Sequence, residues 1–362
     1  MLADLCTRPA AGFVVTVDTE ADSEWTVAAR PTYENIRALP AFQELCDRYG
    51  VRPTYLVTYD VAAHNSSLAV LQALAQDGNC EIGAHMHGWR TPPFYSSPDN
   101  DKPCYPYLYE YPREVQVEKF ETLTDYLEQV FQIKMTSHRA GRWGIDAYGM
   151  SLLEARGYRV DSSVTPFRSW KHQKGDPDGE GGPSFLRAPA RPYYPAVDDI
   201  QKPGTRNILE VPVSIRVLDL WLKTDLSKML AGLFSGDQFA KRKMRNILRK
   251  LRIAEVVSLN PALNSSGHMI ALCRKLLRQW QPAVNMAFHS TELIPGGSPQ
   301  VRTANDADRV WQGLDAVFAC IKASAPVRSR TLTEYAEQFS VGTRAPIQHE
   351  GISREEERDS SS

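Results

Sequence analysis

Strand and helix periods alternate through the first ninety residues, and that alternation restricts the fold more than any other feature of the chain. A short apolar run at 13–17 is followed by a helical spacing over 34–49, with Ile36, Leu39, Phe42 and Leu45 on one stripe and Gly50 as the stop. A β-rich run over 52–58 comes next, then a second helical stripe over 66–76 through Leu68, Leu71 and Leu74, ended by Asp77 and Gly78. Residues 80–84 read as a third strand. Such a β-α-β-α-β order produces a parallel sheet covered by helices.

The same rhythm continues. Pro112 opens a helix to about Phe131 with Phe120, Leu123, Leu127 and Val130 on its stripe, and a strand follows at 135–138. A glycine-bearing loop at 139–144 leads to a helix over 146–156, a strand over 158–164, a sixth strand at 207–214 and a seventh at 283–289. Residues 305–321 form an amphipathic helix, and a last strand and helix fall between 328 and 339. Two stretches interrupt the order: 167–204, rich in Gly, Pro, Asp and Lys, reads as irregular, and 226–280 reads as a helical insertion. Its stripes are Met244, Ile247, Leu248 and Leu251, then Met269, Leu272, Cys273, Leu276 and Trp280. The expected organisation is one catalytic domain over 10–341 and a disordered polar tail over 342–362. Residues 91–112, with prolines and tyrosines at 95, 105, 107, 109 and 111, either cover the mouth of the third strand or form a surface excursion.

Composition excludes some functions. A net charge of -1 over 362 residues argues against bulk binding of nucleic acid. The amino-terminal residues show neither a basic leader nor an apolar run of signal length, and no stretch reaches a membrane span, so a cytoplasmic location and no transmembrane segment are expected. Cysteines at 6, 46, 80, 104, 273 and 320 form no CxxC pair and are expected to be reduced thiols. The stretch from Lys241 to Arg252 carries seven basic residues on an amphipathic period: a solvated face, or a peripheral contact for an anionic partner such as a phospholipid headgroup. Oligomeric state is not indicated.

The polar residues share one address. Asp18, Glu20, His85, His87, Arg139, Asp161 and His289 each stand at or just beyond the carboxyl end of an expected strand, where α/β barrels collect catalytic groups. Positions two apart in extended chain point to one side, so Asp18 with Glu20, and His85 with His87, can converge on one ion.

These runs resemble the five motifs of the polysaccharide deacetylases with a NodB-homology domain, carbohydrate esterase family four, and in detail its branch around the WalW-type proteins of lipopolysaccharide biosynthesis. Residues 15–20 resemble the first motif, 83–87 the second, 138–142 the third, 157–161 the fourth and 286–289 the fifth, in the family's order. The resemblance implies a distorted (β/α)7 barrel, here with a helical insertion, and metal-dependent removal of an acetyl group from an N-acetylated sugar in a glycan precursor. It implies Asp18 as general base, His289 as general acid, Arg139 orienting Asp18, and Asp161 tuning His289. Two positions depart from the pattern. Thr19 stands where the family places a metal-binding aspartate, which passes that role to Glu20, and Trp89 stands where the second histidine is usual, which passes it to His87. Which of Asp18 and Glu20 binds the ion stays open. Zinc is the expected divalent metal, though cobalt, nickel and manganese suit the same ligands. Two other readings remain: hydrolysis of a different C–N bond, as in allantoinase-like relatives, and a carbohydrate-binding relic without activity.

Overall fold

The computed structural model describes residues 10–22, 24, 31–94, 105–176, 179–219, 247, 254–324 and 327–344. Strand β1 (Ala11–Thr19) is the hub, and all but its first residue are buried. It takes β9 (Ala283–His289) along one edge, while its other edge is shared by β10 (Val327–Ser329) near the amino end and β2 (Pro53–Val57) near the carboxyl end. From β2 the sheet continues through β3 (Glu81–Met86), β4 (Ser137–Ala140), β5 (Val160–Asp161) and β6 (Leu209–Glu210), every pairing parallel. It curls until its ends approach. The gap between β6 and β9 is spanned by the chain after β6: the Ser214 amide donates to the Asn285 carbonyl at 3.0 Å, and the Ala287 amide to the Leu259 carbonyl at 3.1 Å. The expected distorted (β/α)7 barrel is the fold observed.

The helices fall where apolar spacing places them: α1 (Leu39–Tyr49), α2 (Tyr59–Ala63), α3 (Asn65–Gln76), α4 (Arg113–Phe131), α5 (Ala147–Ala155), α6 (Ser266–Arg278), α7 (Ala304–Lys322) and α8 (Leu332–Arg344). Gly50 ends α1 at φ +67°, a left-handed cap that glycine adopts without a Cβ penalty. Parity along β1 separates two cores. Phe13, Val15 and Val17 face the helices, where Phe13 meets Phe318 of α7 edge-on at 6.0 Å, and each such buried ring contributes about 2–3 kcal/mol. Val14 faces the lumen with Leu56, Val160, Leu209 and Val211, joined by Leu332 and Tyr335 of α8. Cys46, Cys80, Cys273 and Cys320 are free thiols, as expected of these four.

Three expectations change. The strand expected over 158–164 pairs only at Val160–Asp161, because beyond it side chains take the backbone's partners: Ser163 Oγ accepts from the Ala140 amide and Glu210 from the Val164 amide. The strand expected over 207–214 is likewise two residues long. The chain then enters β7 (Ile215–Asp219), antiparallel to β8 (Ala254–Ser258), so part of the stretch read as wholly helical is a hairpin arm. In α6, Met269, Leu272, Cys273 and Leu276 are buried as expected, whereas Trp280 lies past the helix end and is 51% exposed. The basic stretch 241–252, apart from Ile247, and the tail from 345 onward lie outside the described residues.

Candidate active site

Strand register brings the candidate residues together. Asp18 on β1 lies opposite His289 on β9, and His85 on β3 lies opposite Arg139 on β4. All four share lumen parity with Thr16.

Arg139 is fully buried and divides its donors: Nη1 to Asp18 Oδ1 at 2.6 Å, Nη2 to Thr16 Oγ1 at 2.7 Å and Ser162 Oγ at 2.9 Å, and Nε to the Ser162 carbonyl at 2.7 Å. Burial pushes the Asp18 carboxyl up, but the Arg139 guanidinium, with His85 and His289, outweighs it and holds Asp18 below its ordinary value. Asp18 is therefore a buried anion at neutral pH.

The two histidines of β3 are each fixed from behind. His85 Nδ1 donates to the Arg139 carbonyl at 2.9 Å, and His87 Nδ1 to Glu24 Oε2 at 3.3 Å. These acceptors set the tautomers, leaving an Nε2 lone pair on each ring. The two Nε2 atoms face one another at 3.0 Å, with Glu20 Oε2 at 3.4 Å from His87 and 3.7 Å from His85. Lone pairs so placed repel unless a cation lies among them. Burial lowers His85 to about 4, which keeps it neutral as a ligand must be, and burial raises Glu20 to about 7, reinforced by Glu24 and Asp18 against the pull of His289 and His87. Two imidazoles and a carboxylate within 4.8 Å fit a divalent metal such as zinc.

His289 has the opposite character. Its Nδ1 lies 3.3 Å from Glu292 Oε1 and its Nε2 3.8 Å from Asp18 Oδ2. Burial depresses the imidazole, but the Glu20, Glu292 and Asp18 carboxylates outweigh that and raise it to about 10.

Asp161 stands elsewhere. Val160 and Ser162 face the lumen, so Asp161 points to the helix side, where its Oδ1 accepts from His138 Nδ1 at 2.6 Å and from Ser163 Oγ at 2.9 Å. Burial and the Asp161 charge push Glu210 well up, while the His138 hydrogen bond overcomes burial and keeps Asp161 low. Asp161, expected to tune His289, bonds His138 instead, and the carboxylate within hydrogen-bond distance of the His289 ring is Glu292. Its sequence signal was the capping-box spacing: Glu292 follows the strand-terminal histidine by three residues and accepts the His289 amide at 3.2 Å. Glu24 had no comparable signal. It binds His87, Trp89 Nε1 at 3.0 Å and Arg90 Nε at 2.7 Å, and His87 and Arg90 hold it at about 2 against burial.

Asp18, Glu20, His85, His87 and His289 open into one cavity of about 400 Å³, walled by Trp89, Trp143 and Trp170. Fold and site together define a (β/α)7 protein with a two-histidine, one-carboxylate cluster at its strand ends. No protein-family model matches the chain, and no curated protein sequence matches it. Among solved structures it is similar to a Mycobacterium smegmatis protein assigned as a polysaccharide deacetylase, at 16% identity and TM-score 0.53 over 96% of both chains. A Pseudomonas aeruginosa PAO1 protein with the same assignment matches at 14% identity and TM-score 0.50, covering 94% of this chain and 96% of that one. The 4-alpha-glucanotransferase of Thermococcus litoralis matches at 12% and 0.50, covering 92% of this chain and 41% of its own. At these identities the likeness is one of fold. No helix among the described residues is long and apolar enough to cross a membrane.

Proposed function

We propose that residues 10–341 form a metal-dependent hydrolase that removes an acetyl group from an N-acetylated sugar. The observation that carries this reading is the convergence of the Glu20, His85 and His87 ligand atoms beside a buried anionic Asp18 and a cationic His289 in one indole-walled cavity. A divalent ion held by Glu20, His85 and His87 would polarise the amide carbonyl and make water a nucleophile at neutral pH. Asp18, anionic and anchored by Arg139, accepts the proton of the attacking water. His289, protonated and braced by Glu292, delivers a proton to the departing amine, which is otherwise a poor leaving group. Environments that drive two neighbouring groups to opposite charge states suit a base and an acid working in one cycle. The indoles offer flat apolar faces to a pyranose ring.

The finer assignment, to zinc and to cytoplasmic lipopolysaccharide or exopolysaccharide precursors, is supported by the donor set and by the WalW-like motif sequence. The test is to purify the chain without added metal, measure bound metal by mass spectrometry, and assay acetate release from N-acetylated sugars. About one equivalent in wild type and none in the His85→Ala, His87→Ala variant is expected. Absence of metal in both after soaking with zinc would leave carbohydrate binding without catalysis as the better reading.

A further inference from the structure

Carboxylates and cationic partners, Arg139 for Asp18, Arg90 for Glu24 and His289 for Glu292, are matched around the cavity wall. Asp18, Glu20, Glu24 and Glu292 line it, and among the described residues Arg142 is the one arginine or lysine there. No carboxylate among the described residues forms an ion pair with Arg142. Glu110 lies near enough to feel the guanidinium, but its oxygens accept from the Tyr107 amide at 3.2 Å and the Asp176 amide at 3.0 Å. Arg142 is instead half-buried, with its guanidinium 5.6 Å from the Trp89 ring centroid. Trp89 in turn stacks on His87 at 4.3 Å. The guanidinium thus lies one indole beyond a candidate metal ligand.

The backbone points the same way. Arg142 (φ 51°) and Trp143 (φ 62°) are consecutive non-glycine residues in the left-handed region, although Gly141 and Gly144 flank them. A turn needing only backbone freedom would place glycine at those positions. Strain of this kind collects where a side chain must be aimed, and here both side chains reach the cavity.

Building on the deacetylase reading, we propose that Arg142, with Trp89 and Trp143, forms a subsite for an anionic substituent of the sugar substrate, a carboxylate or a phosphate ester. Arg142 attracts such a group at the cavity wall, one indole away from the metal cluster, so the guanidinium selects the substrate end that carries the anion. A planar guanidinium suits either anion through paired N–H donors.

The test compares three probes on the zinc-loaded full chain by calorimetry at low salt: N-acetylglucosamine, its 1-phosphate, and N-acetylmuramic acid as the carboxylate. Acetate release is followed in parallel. At least one anionic sugar should bind about ten- to a hundredfold more tightly than N-acetylglucosamine, and which one does so identifies the anion. Arg142→Gln should erase that preference and Arg142→Lys should keep part of it, with circular dichroism confirming that both variants fold. A preference that survives Arg142→Gln, or wild type that binds and deacetylates without preference, overturns the subsite alone. Failure of all three sugars to bind overturns the sugar reading and the subsite with it.

Discussion

Arg139→Met tests the charge design of the lumen without involving catalysis. The substitution keeps much of the side chain's volume but removes donors to Asp18, Thr16 and Ser162, and leaves Asp18 as a buried anion without its cation. Breaking a buried pair from one side costs about 3–5 kcal/mol. Domains of this size class lose a few degrees per kcal/mol, so the melting point should fall on the order of 10 °C. The loss should also depend on pH. In wild type Asp18 sits below its unfolded value, so its contribution is present above about pH 4 and is lost as pH falls through the folded pKa. In the variant burial is opposed only by His85 and His289, and that pKa rises. The folded chain then holds a proton the unfolded chain has released, and stability falls as pH rises from about 4. The deficit should be smallest in acid, and adding Asp18→Asn should recover about 1–3 kcal/mol. Denaturant titration with a chelator present, from pH 4.5 to 8, measures both without metal linkage. Equal instability of the single and double variants at every pH would refute the charge argument and leave Arg139 as a packing residue.

Glu24→Gln should weaken zinc binding about ten- to a hundredfold by calorimetry, because an amide does not hold the His87 tautomer as a carboxylate does; unchanged affinity would remove Glu24 from the site. At Gly141 an added Cβ would lie 2.3 Å from His87 Cδ2 and 2.8 Å from the Met86 carbonyl, so Gly141→Ala should displace the ring and lower both zinc affinity and melting point. Burial raises the Tyr55, Tyr158 and Tyr193 phenols above their ordinary value, so above about pH 10 the unfolded chain loses protons the folded chain keeps. Stability should therefore fall as pH rises past 10, with phenolate absorbance from these residues appearing only on unfolding; their free titration in the native chain would contradict the burial. Cys46 and Cys273 should resist a thiol reagent until the chain is denatured, since burial raises both thiols.

Long-range periodicity carried most of the fold. Helices α1, α3, α4 and α7 span several turns each, so a buried stripe repeats often enough to be read; α3, α4 and α7 fall near the expected residues at both ends, and α1 at its carboxyl end, its α-helix starting five residues late after a 3-10 turn at Glu34–Ala38. Two-residue strands such as β5 and β6 have no period to read. Their boundaries are set by side chains of distant segments, as when Glu210 takes the Val164 amide. β8 is five residues long in a helix-like neighbourhood and pairs with a strand nearly forty positions earlier in the chain, information that local spacing does not hold.

The site was legible to the extent that parity decides it. Alternation along β1 and β3 places Asp18 with Glu20 and His85 with His87 on shared faces, and parallel register then sets β1 and β9, β3 and β4 side by side. The same reasoning separates Asp161 from the cavity. His138 is its register partner and adjoins Arg139, and neighbours along a strand face opposite ways, so once Arg139 points inward both His138 and Asp161 must point outward. Position at a strand end admits a residue to the rim, and parity decides which side of the sheet it serves. Glu24 and Glu292 follow neither rule because they reach the site from turns, where side-chain hydrogen bonds rather than strand geometry aim the carboxylate.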